Sequence, residues 1–356
     1  MGITSSMLKF TKAKKEQIET GKEVLKMAIQ NRYEFLFFVE CVNGNPNGDP
    51  DMGNAPRMDP QDMHGYITDV ALKRRIRNYV QCAYAEKPGM NIFVQNATNL
   101  NRHIAEAREE VGLEYGAKSK ADIYKARQQA CAKFFDVRTF GAVMSTGPNA
   151  GQVRGPVQLA FARSTDPILP LDVTITRMAT ADDGNGAKTA ADYLAVEEKT
   201  PEDKLRTMGR KQFIPYGLYE AHGFISANLA RETGFSEQDL KILFESILNI
   251  YEHDRSASKG QMSVISPLVI FKHIGTDTDL SQRAQQAVLG CAPAHELFEL
   301  VSVKKKENVK SPRSWKDYQV SISLDQRPAG IDIGFLCSPY EEIQWNAVPE
   351  RACFFH

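Results

Sequence analysis

A run of aromatic and β-branched side chains, YEFLFFVECV at positions 33–42, stops at once in NGNPNGDPDMGNAPRMDP, positions 43–60. The run has strand character. The residues after it are rich in Gly, Pro, Asn and Asp, the types that supply turns and positive φ. Neither a helix nor a regular strand can continue through them, so the chain must leave its first strand in a tightly turned loop. A helix follows, with Thr68 placed to cap it. Leu72, Ile76, Tyr79 and Val80 fall at i, i+4, i+7 and i+8, one apolar stripe. At about 100° per residue, Lys73, Arg74 and Arg77 flank that stripe on one side and Arg75 lies on the other.

Downstream, residues 85–135 read as a helical insertion, best at 104–113 and 121–134. Strand patterns return at 137–144, 153–163 and 172–178. Residues 178–208 form a polar excursion that leaves the sheet and comes back, and 214–226 resumes strand character. Ser236-x-x-Asp239 is a capping box with Asp for Glu, ahead of the stripe Leu240, Leu243, Phe244, Ile247 and Leu248. A strand at 262–274, a short helix at 280–290 and strands at 297–303 and 318–324 complete the reading. This order predicts an α+β sheet with helices on one face, ferredoxin-like at its centre.

The chain of 356 residues is long enough to bury a core without disulfide or metal staples. Forty-four Lys plus Arg balance forty-four Asp plus Glu. Zero net charge excludes a bulk-basic nucleic-acid binder but not a basic stripe. The apolar runs are far too short for a membrane span. Cysteines 41, 82, 131, 291, 337 and 353 include no Cys-x-x-Cys pair, which points to reduced thiols and a cytoplasmic protein. Residues 1–26 are lysine-rich and lack the apolar core of a secretory signal, so they read as a helical leader or an added extension, and Met27 could be the natural start.

Catalytic signatures are sparse. No motif calls for a cofactor, and Gly184–Thr189 lacks phosphate-loop spacing and reads as a turn. Asn43, Asn45 and Asn47 imitate the start of a calcium loop, but position twelve is Asn54 instead of a bidentate Glu. Asp49, Asp51, Asp59 and Asp62 read as turn residues before magnesium ligands. His222 and His273 read as strand histidines, and Trp315 and Trp345 as packing residues. The positive signals point to a polyanion. Lys73, Arg74 and Arg77 space three cations along a helix, each able to neutralise a phosphate and release counterions. Arg154, Arg210, Lys211, Arg255, Ser256 and Lys259 lie beside small residues that let a sugar-phosphate backbone approach.

The segment NGNPNGDPDMGNAPRMDPQDMHGYITDVALKRRIRNYV resembles the backbone subunit of a type I CRISPR Cascade complex, a RAMP-superfamily protein, most closely subtype I-C (Csd-type). FDVRTFGAVM (135–144), VRGPVQ (153–158), GRKQFIPYGLYEAHGF (209–224), HDRSASKG (253–260) and PRSWKDY (312–318) extend the resemblance over about residues 29–335. It implies an RRM-like palm (29–84, 136–177 and 211–335), helical fingers (85–135) and a long β-hairpin thumb (178–210), between a leader (1–28) and a tail (336–356). It also implies a non-catalytic protein that stacks in a helical filament along CRISPR RNA (crRNA). Such a subunit grips the guide backbone, kinks it with the thumb and leaves bases free to pair with a target DNA strand. The implied partners are crRNA, target DNA, further copies of the chain, and the repeat-handle-processing, large and small Cascade subunits, with no membrane.

By the same resemblance Lys73, Arg74 and Arg77 are the central RNA contacts, with Arg57 from the loop beside them. Arg154, Arg210, Lys211, Arg255, Ser256 and Lys259 are further contacts. Met178 and Met208 are thumb wedges, or else core packing. Type III relatives cut RNA with a loop aspartate, so Asp49 or Asp51 carries a rival metal-dependent ribonuclease reading. A plain assembly scaffold is a third reading.

Overall fold

The structure, a computed structural model, describes residues 28–114, 119–183 and 186–350; the leader to position 27 and part of the 184–189 turn lie outside them. Strand β1 (Tyr33–Gly44) leads into a micro-hairpin, β2 (Gly48–Asp49) and β3 (Ala55–Pro56), then β4 (His64–Ile67). Helix α1 (Asp69–Ala83) starts at Thr68, whose hydroxyl accepts the Ala71 N–H. Helices α2 (Leu100–Glu109) and α3 (Lys120–Lys133) form the insertion. Helix α4 (Phe135–Phe140) follows, then strands β5 (Gly141–Met144), β6 (Gly151–Arg154), β7 (Val157–Leu159), β8 (Ala162–Pro167) and β9 (Leu171–Arg177). Helix α5 (Ala190–Lys199) lies in the excursion before β10 (Thr207–Ile225). Then come α6 (Ala227–Thr233), α7 (Glu237–Asn249), β11 (Gln261–His273), α8 (Leu280–Leu289) and α9 (Ala294–Glu299). Strands β12 (Val301–Lys305), β13 (Tyr318–Ile322), β14 (Ile331–Leu336) and β15 (Gln344–Trp345) end the described chain.

The main sheet runs β15-β14-β11-β1-β10-β8-β4 and is antiparallel at every pairing, with β7 also on β10. Side chains on a strand alternate between faces. Phe35, Phe37, Val39 and Cys41 of β1 therefore pack in one core with Leu72, Ile76 and Val80 of α1 and Leu240, Leu243, Phe244 and Ile247 of α7. Each apolar side chain withdrawn from water there contributes about 1.5–3 kcal/mol. Leu36 and Phe38 face the other way, against Leu297, Val301, Tyr318 and Val320 of α9 and the β12–β13 hairpin. The insertion has its own core, with Ile104, Ala107, Ala126, Ala130 and Phe134.

Several elements differ from the sequence expectation. Residues 137–140, expected as the start of a strand over 137–144, belong instead to the helix Phe135–Phe140, in which Asp136 and Arg138 are buried against distant partners; only 141–144 are strand. The stretch 153–163 breaks twice, between β6 and β7 at Gly155-Pro156, where a side chain on Gly155 would lie 2.2 Å from the Phe140 backbone, and between β7 and β8 at Ala160-Phe161. Residues 294–299 form a helix before β12 begins. Strand β14 pairs with β11 beyond the last expected strand. Helices α1 and α7 share one face, but the other is covered by α9 and the β12–β13 hairpin. Strand β10 starts seven residues early: positions 207–213 pair with β9 in a ribbon, and 214 and 216–225 pair with β1 in the sheet.

Candidate nucleic-acid interface

The loop after β1 is stitched to its surroundings through backbone and short polar side chains. The Asn45 N–H donates to the Ser258 carbonyl at 2.8 Å, and the Asn45 side chain donates to the Asn54 carbonyl at 2.6 Å. Asn47 Oδ1 accepts both the N–H and the hydroxyl of Thr68, each at 2.9 Å, tying the loop to the start of α1. A Cβ on Gly44 would lie 1.8 Å from the Lys259 carbonyl oxygen, so glycine lets the loop and residues 254–260 touch. Asp49 caps a short turn by accepting the Asp51 N–H and pairs with Arg57 at 3.4 Å. Asp59 and Asp62 serve turns in the same way, accepting Gln61 and His64 N–H groups, and both lie beside Arg163. The His64 N–H, then Arg163, hold the Asp62 carboxyl below its ordinary range.

Several expected contact residues converge on this junction. Lys259 Nζ donates to the Pro46 carbonyl at 3.2 Å, and Lys211 Nζ donates to the Ala257 carbonyl. Ser256 shares a hydrogen bond with Ser258 at 3.1 Å, and Arg255 pairs with Glu252 at 2.7 Å on the exposed surface. The 43–57 loop, the 254–260 loop and the root of the β9–β10 ribbon thus share one surface. Beneath it lies Arg75, which sequence reasoning set aside: it pairs with Asp254 at 3.4 Å and stacks over Tyr251. Burial, and then Arg75 nearby, lower the Lys259 ammonium from 10.5 to about 8. Between those values the unfolded chain holds the proton more firmly, so this group makes the fold gain stability as pH rises from 8 to 10.5. Below pH 8 both states are protonated and the folded state bears the full cost of a half-buried charge.

The other flank of α1 is different. Lys73 pairs with Asp69 at 2.9 Å and reaches Gln158 at 3.4 Å; Arg77 pairs with the buried Asp136 at 2.7 Å. Both cations lie over the Phe140 ring, and their side chains are only 13% and 12% exposed. Arg74 donates to the Val94 carbonyl at 3.1 Å. Arg154 is exposed on β6, away from the loop junction in the pairing pattern. Arg74 and Arg77 therefore tie α1 to the insertion, directly at Val94 and through Asp136, whereas Lys73 is held by Asp69 of its own helix and by Gln158. No sequence signal announced Asp136, whose carboxylate also accepts the Phe93 and Val94 N–H groups.

The ribbon is exposed along β9. Arg210 is 82% exposed, with its nearest carboxylate, Asp172, at 4.0 Å. Met178 and Met208 are 67% and 78% exposed, so core packing does not describe either. Thr189 and Asp192 form a capping box for α5. His222 stacks on Phe298, and the buried His273 lies 2.6 Å from Glu34 Oε2. Among the described residues no helix is long and apolar enough to cross a membrane.

Comparison with known proteins adds family information to this geometry. Residues 31–323 match the family model described as CRISPR-associated protein Cas7. A relative of that name from Haloferax volcanii is 26% identical over 239 residues, 61% of this chain and 63% of the relative, so the chain spans less than two thirds of that relative's length. Two solved structures are similar at low identity. A chain of a "CRISPR RNA-guided surveillance complex, pre-nicking" has TM-score 0.45 and 13% identity, covering 83% of this chain and 93% of that one. A chain of a "CRISPR RNA-guided surveillance complex" has TM-score 0.40 and 11% identity, covering 83% and 90%. The family match takes in α1, the loop before it, the ribbon and the 254–260 loop, and on its extent this chain belongs to the Cas7 family of CRISPR-associated proteins.

Proposed function

We propose that this protein is a non-catalytic, crRNA-binding backbone subunit of a CRISPR RNA-guided surveillance complex, of the type I-C Cascade kind. The observation that carries the reading is the junction of Lys211, Ser256, Lys259 and the Arg57 loop at the ribbon root, in a chain of the Cas7 family. Cations held by backbone carbonyls, with small residues around them, bind phosphates and sugars and leave bases free. That is what a subunit serving any guide sequence requires. The order β11-β1-β10-β7/β8, with helices after β1 and β10, supports an RRM-like palm, and the ribbon of 171–177 with 207–213 supports a thumb. Met178 and Met208, exposed at the far end of the ribbon, are the wedges that would separate stacked bases. Lys73, Arg74, Arg77 and Arg154 are the more distal contacts. Target DNA, further copies of the chain and other Cascade subunits are its partners.

The experiment is a native gel of single-stranded RNAs of graded length with magnesium. Evenly added shifted bands with intact RNA are expected. Discrete fragments that vanish in Asp49→Asn or Asp51→Asn would replace this reading with a ribonuclease. Oligomers indifferent to nuclease treatment, with no RNA shift, would replace it with a scaffold.

A second expectation follows from Lys259. A phosphate beside its ammonium favours the protonated form, so binding RNA takes up a proton near pH 8. RNA affinity of the wild-type chain should therefore fall between pH 7 and 9, and Lys259→Met should flatten that dependence. Titration in two buffers of different ionisation heat measures the proton directly; no buffer dependence near pH 8 would remove Lys259 from the contact set.

A further inference from the structure

Six cations, Lys304, Lys305, Lys306, Lys310, Arg313 and Lys316, fall within thirteen residues that hold one acid, Glu307. All six side chains are exposed at the end of the β12–β13 hairpin. In a chain of zero net charge this is a concentrated excess of five positive charges. Among the described residues only Lys305 has a carboxylate within reach, Asp166 at 3.9 Å.

The hairpin is held rigidly. The Trp315 N–H donates to Glu40 Oε1 at 2.6 Å, and the Tyr318 hydroxyl donates to Asp166 Oδ2 at 2.6 Å. Ser314 and Asp317 form a reciprocal capping box, and the Lys306 N–H donates to the Asp317 carbonyl at 3.0 Å. The nearby acids are thus engaged in anchoring the loop, and its cations stand out together. Clustered like charges repel, a cost that an anionic partner relieves.

The hairpin packs on the sheet face opposite α1 and α7. We propose that it is a second nucleic-acid surface, separate from the RNA groove, that holds duplex DNA by its phosphates without regard to sequence. Single-strand grooves pair cations with exposed aromatic platforms. Here Trp315 packs into the core beneath the hairpin, with Lys316 over its ring at 5.6 Å, so no free platform is offered to a base. A duplex keeps its bases inside and its phosphates outside. A two-stranded ribbon fits the wide major groove of B-form DNA and not the narrow one of A-form RNA.

The test measures binding of the whole chain to labelled DNA duplexes of mixed sequence over a salt series. Lys304→Ala, Lys306→Ala and Lys310→Ala combined should make the slope of log K against log salt shallower by about 2.7, roughly 0.9 for each duplex phosphate lost. Lys306→Glu alone should weaken duplex binding in the same direction. Single-stranded RNA binding should be unchanged, which separates this result from the RNA reading of the ribbon root. The proposal is overturned if duplex affinity and slope stay as in the wild type, or if the wild type binds no duplex. It is equally overturned if RNA duplexes or single strands lose as much affinity, or if only protein association changes, which would assign the patch to an acidic protein surface.

Discussion

Replacing Asp239 with Ala lowers the free energy of unfolding by about 4 kcal/mol, because one carboxylate serves two elements. It accepts the Ser236 N–H and hydroxyl, each at 2.8 Å, closing the capping box at the start of α7. It also takes a two-point contact from Arg138, Nε to Oδ2 at 3.0 Å and Nη2 to Oδ1 at 2.7 Å. Arg138 is buried and spends its other donors on the Cys131 and Gly89 carbonyls. Without Asp239 its charge is left in the interior unpaired, which costs about 3–5 kcal/mol, and losing the cap adds a smaller part. Asp239→Asn should be nearly as costly, because an amide N–H₂ then faces the guanidinium. The apolar double variant Arg138→Met/Asp239→Leu should lie closer to the wild type than Asp239→Ala does. Urea unfolding of the three variants checks this. A loss under about 1 kcal/mol for Asp239→Ala would mean that solvent reaches Arg138.

Lys211→Ala with Lys259→Ala is expected to weaken single-stranded RNA binding about 25-fold near 0.1 M salt, since each single-strand phosphate contact contributes about 0.7 to the salt slope. The slope should become shallower by about 1.4 and the loss should be equal for all sequences. Both side chains donate only to backbone carbonyls, so removing them strands no buried carboxylate. Arg77→Ala is a poorer probe, because it leaves Asp136 buried without its cation. A fall in RNA binding there would mix lost contact with a loosened insertion. Fluorescence anisotropy over a salt series decides the matter: unchanged slope in the Lys211/Lys259 pair would take the groove away from the ribbon root.

Much of the fold was legible where local pattern and tertiary environment agree. The β1 run, the stripe of α1, Thr68 as its cap and the Ser236–Asp239 box all read directly from spacing. What failed was set by distant partners. VRTF at 137–140 has strand composition, yet Arg138 and Asp136 bond to residues far along the chain and fix a helical turn. The early start of β10 was hidden because GRKQ is polar, and nothing local says that it pairs with Leu171–Arg177. At the candidate site, cations beside small residues did mark the loop junction, since Lys211, Ser256 and Lys259 meet there. The cations of α1 were harder to interpret, because periodicity gives a flank and not what packs on it. The lysines of the β12–β13 hairpin were visible as letters, but only the sheet's second core shows which face they occupy.

Strand β10 is continuous from the ribbon into the middle of the sheet, and it changes partner between Phe213, which pairs with β9, and Ile214, which pairs with β1. Pro215 follows at once, has no register partner in either ladder and offers no N–H. Mechanically this is a cantilever clamped at its inner end. A load on the ribbon tip cannot be absorbed by a loop hinge at β10 and must bend or twist the strand itself. That strain arrives first at Pro215 and Asn43, whose φ is 49°, and then at the β1 neighbours of the 254–260 loop. Whatever seats against the ribbon is therefore felt in the loop that carries Lys259, without any residue between them changing its fold.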